Sequence, residues 1–382
     1  MTEALEASRE SERLKRYRAF VRQKREQARA GEFSLAPDSL WLSITENCNF
    51  RCVGCYTEGL FKKTYLSPDE LRRMLSGETE TYSLISLTDG EAFLHPELCE
   101  IIEICKAAHP AAQIDLVTNA SVPPRGKYRR AVSLIDNLGI SIDGATKATY
   151  ESIRRGGNFE RFLDNVREIV AIRAETGKPS CLEFSFTAMT SNLPELPGVV
   201  RIAAELGVPN VYFQPMETRE PEIAARIGAF NLSHMPREEI FKITDEAIAL
   251  GKSLGVAVYG MPFMTKPLPG GPDEMNTAAS IAPRRDVAEA VCECQYLWLR
   301  PFQYLRDEAG FHVLPCCYMA KPDGLVISRR YGLTFTELER VPSVYNGEAY
   351  WNLRQALADG ELSEFCGGCM EAFYYPWKGE AR

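Results

Sequence analysis

Between residues 38 and 260 the apolar positions switch repeatedly between two spacings. Short β-branched or aromatic runs read as strands at Leu40–Thr45, Tyr82–Thr88, Gln113–Thr118, Leu138–Ile142, Leu182–Ala188, Val211–Pro215 and Val256–Tyr259. Between them lie longer stretches of helical period: Pro96–Ala108, Phe159–Glu175, Leu193–Leu206 and Pro236–Leu254. A further helix opens at Ser67-Pro68-Asp69-Glu70, with a Ser cap, Pro in the first turn and acids behind it. Strand–helix alternation predicts parallel strands joined by helical crossovers. Several runs are apolar throughout, as strands covered on both faces would be.

The flanks follow other patterns. Residues 1 to about 33 predict one charged helix, closed by Gly31, with a thin stripe of Leu14, Tyr17 and Val21. We expect it to be a solvated helix packed lightly on the main domain; the other reading is a basic surface from Arg13 to Arg29 that meets an acidic partner. Met261 to Pro272 is dense in Pro and Gly and continues neither helix nor strand. The expected organisation is an N-terminal extension (1–37), an α/β core (38–260), a linker (261–290) and a C-terminal domain (291–382).

Composition narrows the class. Of 382 residues, 45% are hydrophobic and 25% charged, an ordinary globular balance. No apolar run approaches the roughly 18 residues a membrane span needs, and the N-terminus lacks a secretion-signal core. A cytoplasmic location without membrane partners is expected. The net charge of −8 argues against nucleic acid as a partner. Twelve cysteines in a reducing compartment point to metal or redox chemistry. Cys99, Cys105 and Cys181 stand alone in apolar segments and read as core.

Cys48, Cys52 and Cys55 form a CxxxCxxC loop directly after the first strand, where ligands of parallel α/β sheets collect. Zinc sites want four ligands, and no fourth Cys or His lies near this loop. Three thiolates on an iron–sulfur cube would leave one iron open. With these residues the chain resembles the radical S-adenosylmethionine (SAM) superfamily. In that family the loop holds a [4Fe-4S] cluster, SAM chelates the open iron, and an electron cleaves SAM to a 5′-deoxyadenosyl radical. The fold implied is a partial (β/α)6 TIM-type barrel.

The resemblance continues along the chain. Asp89-Gly90-Glu91-Ala92 is similar to the family's Gly-Gly-Glu-Pro segment, which meets the SAM amino group. Val117-Thr118-Asn119-Ala120 resembles its Thr-Asn-Gly turn. Ser141-Ile142-Asp143-Gly144 and Tyr150 to Arg154 resemble the segment that contacts the SAM ribose and carboxylate. Asp89, Glu91 and Asp143 suit an ammonium or hydroxyls, Arg154 suits a carboxylate, and Asn119 and Ser141 supply neutral hydrogen bonds. Asp89 and Ala92 replace the usual Gly and Pro, and Ala120 replaces Gly. Gly54 stands where an aromatic often meets the adenine, a role that passes to Tyr56.

The C-terminal cysteines resemble the SPASM/Twitch extension of this superfamily, a small β-hairpin and helix domain around an auxiliary cluster. Cys294, Cys316, Cys366 and Cys369 would hold one fully ligated second [4Fe-4S] cluster, with Cys316 preferred to Cys317. Tyr350-Trp-Asn-Leu-Arg354 matches the pattern's Arg-containing helix. Cys292 and Cys317 remain over; one reading makes either a hydrogen-atom donor. The resemblance implies SAM, a flavodoxin- or ferredoxin-type reductant and a substrate that the sequence does not name. The first expectation is oxidation of a small polar metabolite, of sugar or cyclitol alcohol type, with the auxiliary cluster accepting an electron. The second is modification of a ribosomally made peptide by cross-link, thioether or epimerisation, against which residues 1–37 are too few for a leader-gripping winged helix. The third is a non-catalytic iron–sulfur protein. Gln214, Glu217 and Tyr259 occupy plausible rim positions.

Overall fold

In the computed structural model the described residues are 12–35, 39–55, 64–76, 82–216, 232–260, 296–299, 303–307, 310–314, 316, 321–337 and 339–366. The chain divides into two compact units. One comprises Leu42–Arg72 and Ser83–Ile281; the other comprises Met1–Trp41, Arg73–Tyr82 and Ala282–Arg382.

The first unit is a sequentially ordered sheet. The strands are β1 (Ser39–Ser43, entering this unit at Leu42), β2 (Leu84–Thr88), β3 (Gln113–Thr118), β4 (Asn137–Ser141), β5 (Cys181–Ala188), β6 (Asn210–Pro215) and β7 (Ala257–Gly260), and they neighbour one another in chain order. Every pair from β2 to β7 is parallel. The crossovers carry α2 (Pro68–Leu75), α3 (Leu98–Ala108), α4 (Lys127–Leu134), α5 (Lys147–Ile153), α6 (Phe159–Thr176), α7 (Leu196–Leu206) and α8 (Arg237–Leu254). The start of α2 is a capping box. Ser67 Oγ accepts from Glu70 N at 3.3 Å while Glu70 Oε2 accepts from Ser67 N at 2.9 Å. Helices α4 and α5 are additions to the sequence reading. Their runs of seven or eight residues are too short to show a clear helical period, and Thr146, accepting from Thr149 N, caps α5 locally.

Leu182, Phe184 and Phe186 of β5, with Val211 and Phe213 of β6, are fully buried on one face of the sheet. The other face is more open than the sequence reading expected. Along β5 every second residue is only half-buried, and Val117 of β3 and Tyr259 of β7 are 53% and 44% exposed. A parallel sheet is therefore covered by helices on one face and carries polar side chains on the other, the arrangement of an open, barrel-like sheet.

The second unit contains α1 (Glu12–Arg29), the antiparallel strands β8 (Gln303–Asp307), β9 (Gly310–Leu314) and β10 (Thr334–Phe335), and the helices α9 (Tyr296–Leu299), α10 (Lys321–Arg330), α11 (Val341–Tyr345), α12 (Glu348–Ala358) and α13 (Ser363–Cys366). The light packing expected of α1 is corrected here. Leu14, Tyr17 and Val21 are buried, Trp298 Nε1 donates to Tyr17 OH at 2.9 Å, and Arg18 Nε donates to Ala358 O at 2.8 Å. Arg25 and Arg29 pair with Glu348 at the start of α12. A stripe that looks thin in sequence is enough once aromatic side chains meet it, since each buries a large apolar area. No helix among the described residues is long and apolar enough to cross a membrane.

Candidate active site

The site is built at the carboxyl ends of β1 to β5. The loop after β1 is held on two sides. On one, Leu66 N donates to Ile44 O at 2.9 Å, Thr45 Oγ1 to Thr64 O at 2.8 Å and Asn47 Nδ2 to Tyr65 OH at 2.9 Å. On the other, Arg51 N donates to Arg155 O at 2.8 Å and Val53 N to Ile153 O at 2.9 Å, which ties the cysteine loop to the end of α5. Phe50 is buried beneath it. The loop that bears Cys48, Cys52 and Cys55 is thus shaped by hydrogen bonds from its backbone and from the Thr45 and Asn47 side chains.

Two of the three thiols receive N–H donors of the kind a cluster's thiolates take. Cys48 Sγ receives Phe50 N at 3.5 Å and Asn119 Nδ2 at 3.9 Å, and Cys52 Sγ receives Arg154 Nη1 at 3.8 Å. Such donors stabilise thiolates and tune iron–sulfur centres. Burial pushes the Cys48 thiol up to about 11, and burial also raises Cys52, against the pull of Arg154. Both are protonated at neutral pH in the metal-free protein, so metal binding must release their protons. Among the described residues, no three acidic, His or Cys side chains converge on one metal ion. A polynuclear cluster takes one thiolate per iron and needs no such convergence.

The turn after β2 is locked against this loop. Asp89 and Gly90 both have positive φ, 67° and 51°. A Cβ on Gly90 would lie 2.5 Å from Asn47 O and 2.8 Å from Thr45 O, so only glycine allows the approach. Glu91 N then donates to Asn47 O at 2.8 Å. The Glu91 carboxylate is buried and points down into the protein: Oε1 accepts from Phe93 N at 3.1 Å and Thr118 Oγ1 at 2.7 Å, and Oε2 accepts from Asn119 N at 2.7 Å. Burial raises its pKa and these three bonds oppose the rise. Glu91 therefore joins the turns after β2 and β3, a link that sequence reasoning missed because it took the two segments as separate SAM contacts and not as partners of each other. Asn119 Nδ2 also donates to Asn49 Oδ1 at 3.1 Å, and Ala120 takes the left-handed backbone at φ 52° where the family has Gly.

Ser141 ends β4, buried, beside Ser185 of β5. Asp143 and Arg154, expected to face different parts of SAM, face each other at 2.6 Å (Oδ2 to Nε) with little exposure. The approach lies off the N–H axis, so it is an ion pair without a well-directed hydrogen bond. Asp143 Oδ1 accepts from Thr187 N at 2.8 Å, which fixes the pair to β5. Burial works against the Arg154 charge, but Asp143 outweighs it and holds the guanidinium protonated.

On the open face lies a polar group of which the sequence reading singled out Tyr259 alone. Ser86 Oγ donates to Asp115 Oδ2 at 2.8 Å, Tyr259 OH donates to Glu183, and the Tyr212 and Tyr259 rings are 5.6 Å apart. Burial raises both carboxyls. Asp115 and Glu183 interrupt apolar strands, and that interruption was the available signal.

In the second unit Cys316 and Cys366 are half-buried. Cys292, Cys294, Cys317, Cys369, Tyr56 and Glu217 lie outside the described residues. Arg354 is fully buried. Its Nη1 donates to Tyr345 O at 2.8 Å and its Cζ lies 4.5 to 5.2 Å from the centroids of Trp298, Tyr345, Tyr350 and Trp351.

The sequence profile of the Radical SAM superfamily matches residues 42–177, the span that carries the whole cysteine-loop rim. Over residues 42–177 the chain is similar to the radical SAM superfamily. The superfamily implies a [4Fe-4S] cluster and SAM. A probable GTP 3′,8-cyclase from Methanocaldococcus jannaschii is 26% identical across 44% of this chain; the chain spans 56% of that relative. Across the radical SAM fold as a whole, Streptococcus suis SuiB bound to precursor peptide SuiA aligns with TM-score 0.58 at 10% identity, covering 86% of this chain and 69% of SuiB. The structure of anSMEcpe with bound AdoMet and Kp18Cys peptide aligns with TM-score 0.54 at 12% identity, covering 90% of this chain and 92% of that one. At such identities the two structures show a shared fold.

Proposed function

We propose that the chain is an enzyme whose Cys48, Cys52 and Cys55 hold a [4Fe-4S] cluster, with SAM bound across the rim of β2 to β4. One observation carries this reading. Two of the three thiols on one loop, Cys48 and Cys52, meet donors from Asn119, after β3, and Arg154, at the end of α5, on the side of the sheet where parallel strands bind ligands. When bound, the cluster and SAM supply an electron and a 5′-deoxyadenosyl group that removes a hydrogen atom from substrate carbon. The protein's part is placement. Asp89 and Gly90 present their turn beside the loop, Ser141 offers a hydroxyl, and Glu91 holds two of the turns together. Anaerobically reconstituted protein given dithionite and SAM should release 5′-deoxyadenosine, and Cys52→Ala should not. Absence of 5′-deoxyadenosine from the wild type would sink the proposal.

For the substrate we favour a polypeptide over a small metabolite. Support comes from the likeness to SuiB and anSMEcpe, which extends over most of this chain and whose structures were solved with peptides. The small polar metabolite keeps one observation of its own: the open face bearing Ser86, Asp115, Glu183 and Tyr259 suits hydroxyl or amine groups. Incubation with encoded peptides and with polyols, followed by mass analysis, separates the two. An auxiliary cluster on Cys294, Cys316, Cys366 and Cys369 belongs to the same proposal. The buried Arg354, its Nη1 bonded to the Tyr345 carbonyl and its Nη2 without a hydrogen-bond partner among the described residues, is a cation suited to offset anionic thiolates.

A further inference from the structure

We infer that Arg154 and Asn119 act on the cysteine-bound cluster itself, as positioning residues that set its reduction potential and retention, and that Asp143 serves to aim Arg154. This rests on the reading that Cys48, Cys52 and Cys55 hold the cluster.

The argument is geometric. Arg154 Nη1 lies 3.8 Å from Cys52 Sγ, and Asn119 Nδ2 lies 3.9 Å from Cys48 Sγ. The two donors come from different elements, Asn119 from the turn after β3 and Arg154 from the end of α5, and each addresses a different sulfur. Neither donor is free to wander. Asn119 is buried, its Oδ1 accepts from Ser121 N at 2.9 Å and its Nδ2 is shared with Asn49. Arg154 is held by Asp143, which Thr187 N holds in turn. The backbone on either side of Arg154 accepts the loop's own amides at Ile153 O and Arg155 O. A side chain whose neighbours clamp the cysteine loop and whose head reaches a cysteine sulfur is placed to follow the cluster.

The electrostatic consequence has a definite sign. Reduction adds one electron to an already anionic cluster. A guanidinium at hydrogen-bond range of a ligand sulfur favours the reduced form, and its low exposure limits screening. Asp143 lies on the far side of that guanidinium and weakens the effect without cancelling it. Asn119 contributes a neutral donor of the same sense.

The test uses the full-length protein, reconstituted anaerobically. The SAM-responsive cluster signal is followed by EPR-monitored redox titration, iron loss by chelator challenge, and SAM affinity by calorimetry. Arg154→Gln should move the potential to more negative values and speed iron loss, with SAM affinity changed by less than about threefold. Arg154→Lys, which keeps the charge, should fall between wild type and Arg154→Gln. Asp143→Asn, which keeps an oxygen to hold Arg154 but removes the negative charge, should move the potential the opposite way. An unchanged potential in Arg154→Gln overturns the inference. So does a tenfold or greater loss of SAM affinity with the potential intact, which would make Arg154 a receptor for the SAM carboxylate. If the wild type itself shows no SAM-responsive cluster, the underlying reading fails instead, and the two failures are distinct.

Discussion

At Gly90 a methyl group would collide with the Asn47 carbonyl oxygen, and the left-handed backbone adds strain of its own. Gly90→Ala should therefore cost more than about 2 kcal/mol and cut iron loading after reconstitution; wild-type iron content in that variant would contradict the close approach. Glu91 makes the complementary case. Removing its carboxylate as Glu91→Ala strands the Thr118 hydroxyl and two backbone amides in the interior. The expected loss is about 3–5 kcal/mol in urea unfolding of the metal-free protein, and a loss below 1 kcal/mol would rule out the latch. In sequence, Asp89-Gly90-Glu91 stood out through its resemblance to the family's Gly-Gly-Glu-Pro segment. The direction Glu91 points did not, because a carboxylate on a turn can face ligand or protein and only its neighbours decide.

Among the elements, β3 and β4 are joined below the site by Asp136, just before β4. Its Oδ2 accepts from Ile114 N at 2.9 Å and from Lys106 at 2.7 Å, and Lys178 pairs with the other oxygen. Burial pushes this carboxyl up, but the two lysines and the amide outweigh it and hold it below its ordinary value. A depressed carboxyl stabilises the fold fully above its unfolded pKa and loses that contribution as pH falls through its folded value. Melting temperature should therefore drop between neutral pH and about pH 3 more steeply in wild type than in Asp136→Asn, if other groups titrate alike in both. Parallel acid profiles would refute this role. The seven strands were readable because β-branched runs alternate with helical periods. Helices α4 and α5 were not, being too short to display a period. The second of them positions the cysteine loop, so a functional element escaped the pattern for want of length.

For the whole molecule, the cysteine sets divide between the two units, with Cys48, Cys52 and Cys55 in one and Cys316 and Cys366 in the other. Cys366→Ala should lose about half of the iron of the reconstituted protein while still releasing 5′-deoxyadenosine. Loss of all iron, or of none, would contradict two separately held clusters. The sequence by itself determined the resemblance to the radical SAM superfamily, the succession of strands along the chain and the three-thiol loop, because periodicity and ligand spacing are local and survive without knowledge of contacts. Only the tertiary structure decided that Glu91 faces inward, that Arg154 meets Asp143 and Cys52, that α1 buries its stripe against α12, and that one face of the sheet stays open with Asp115, Glu183 and Tyr259 on it. Each of these depends on which distant residues arrive beside a side chain, and a side chain's partners, burial and charge are set by that arrival rather than by its neighbours in the chain.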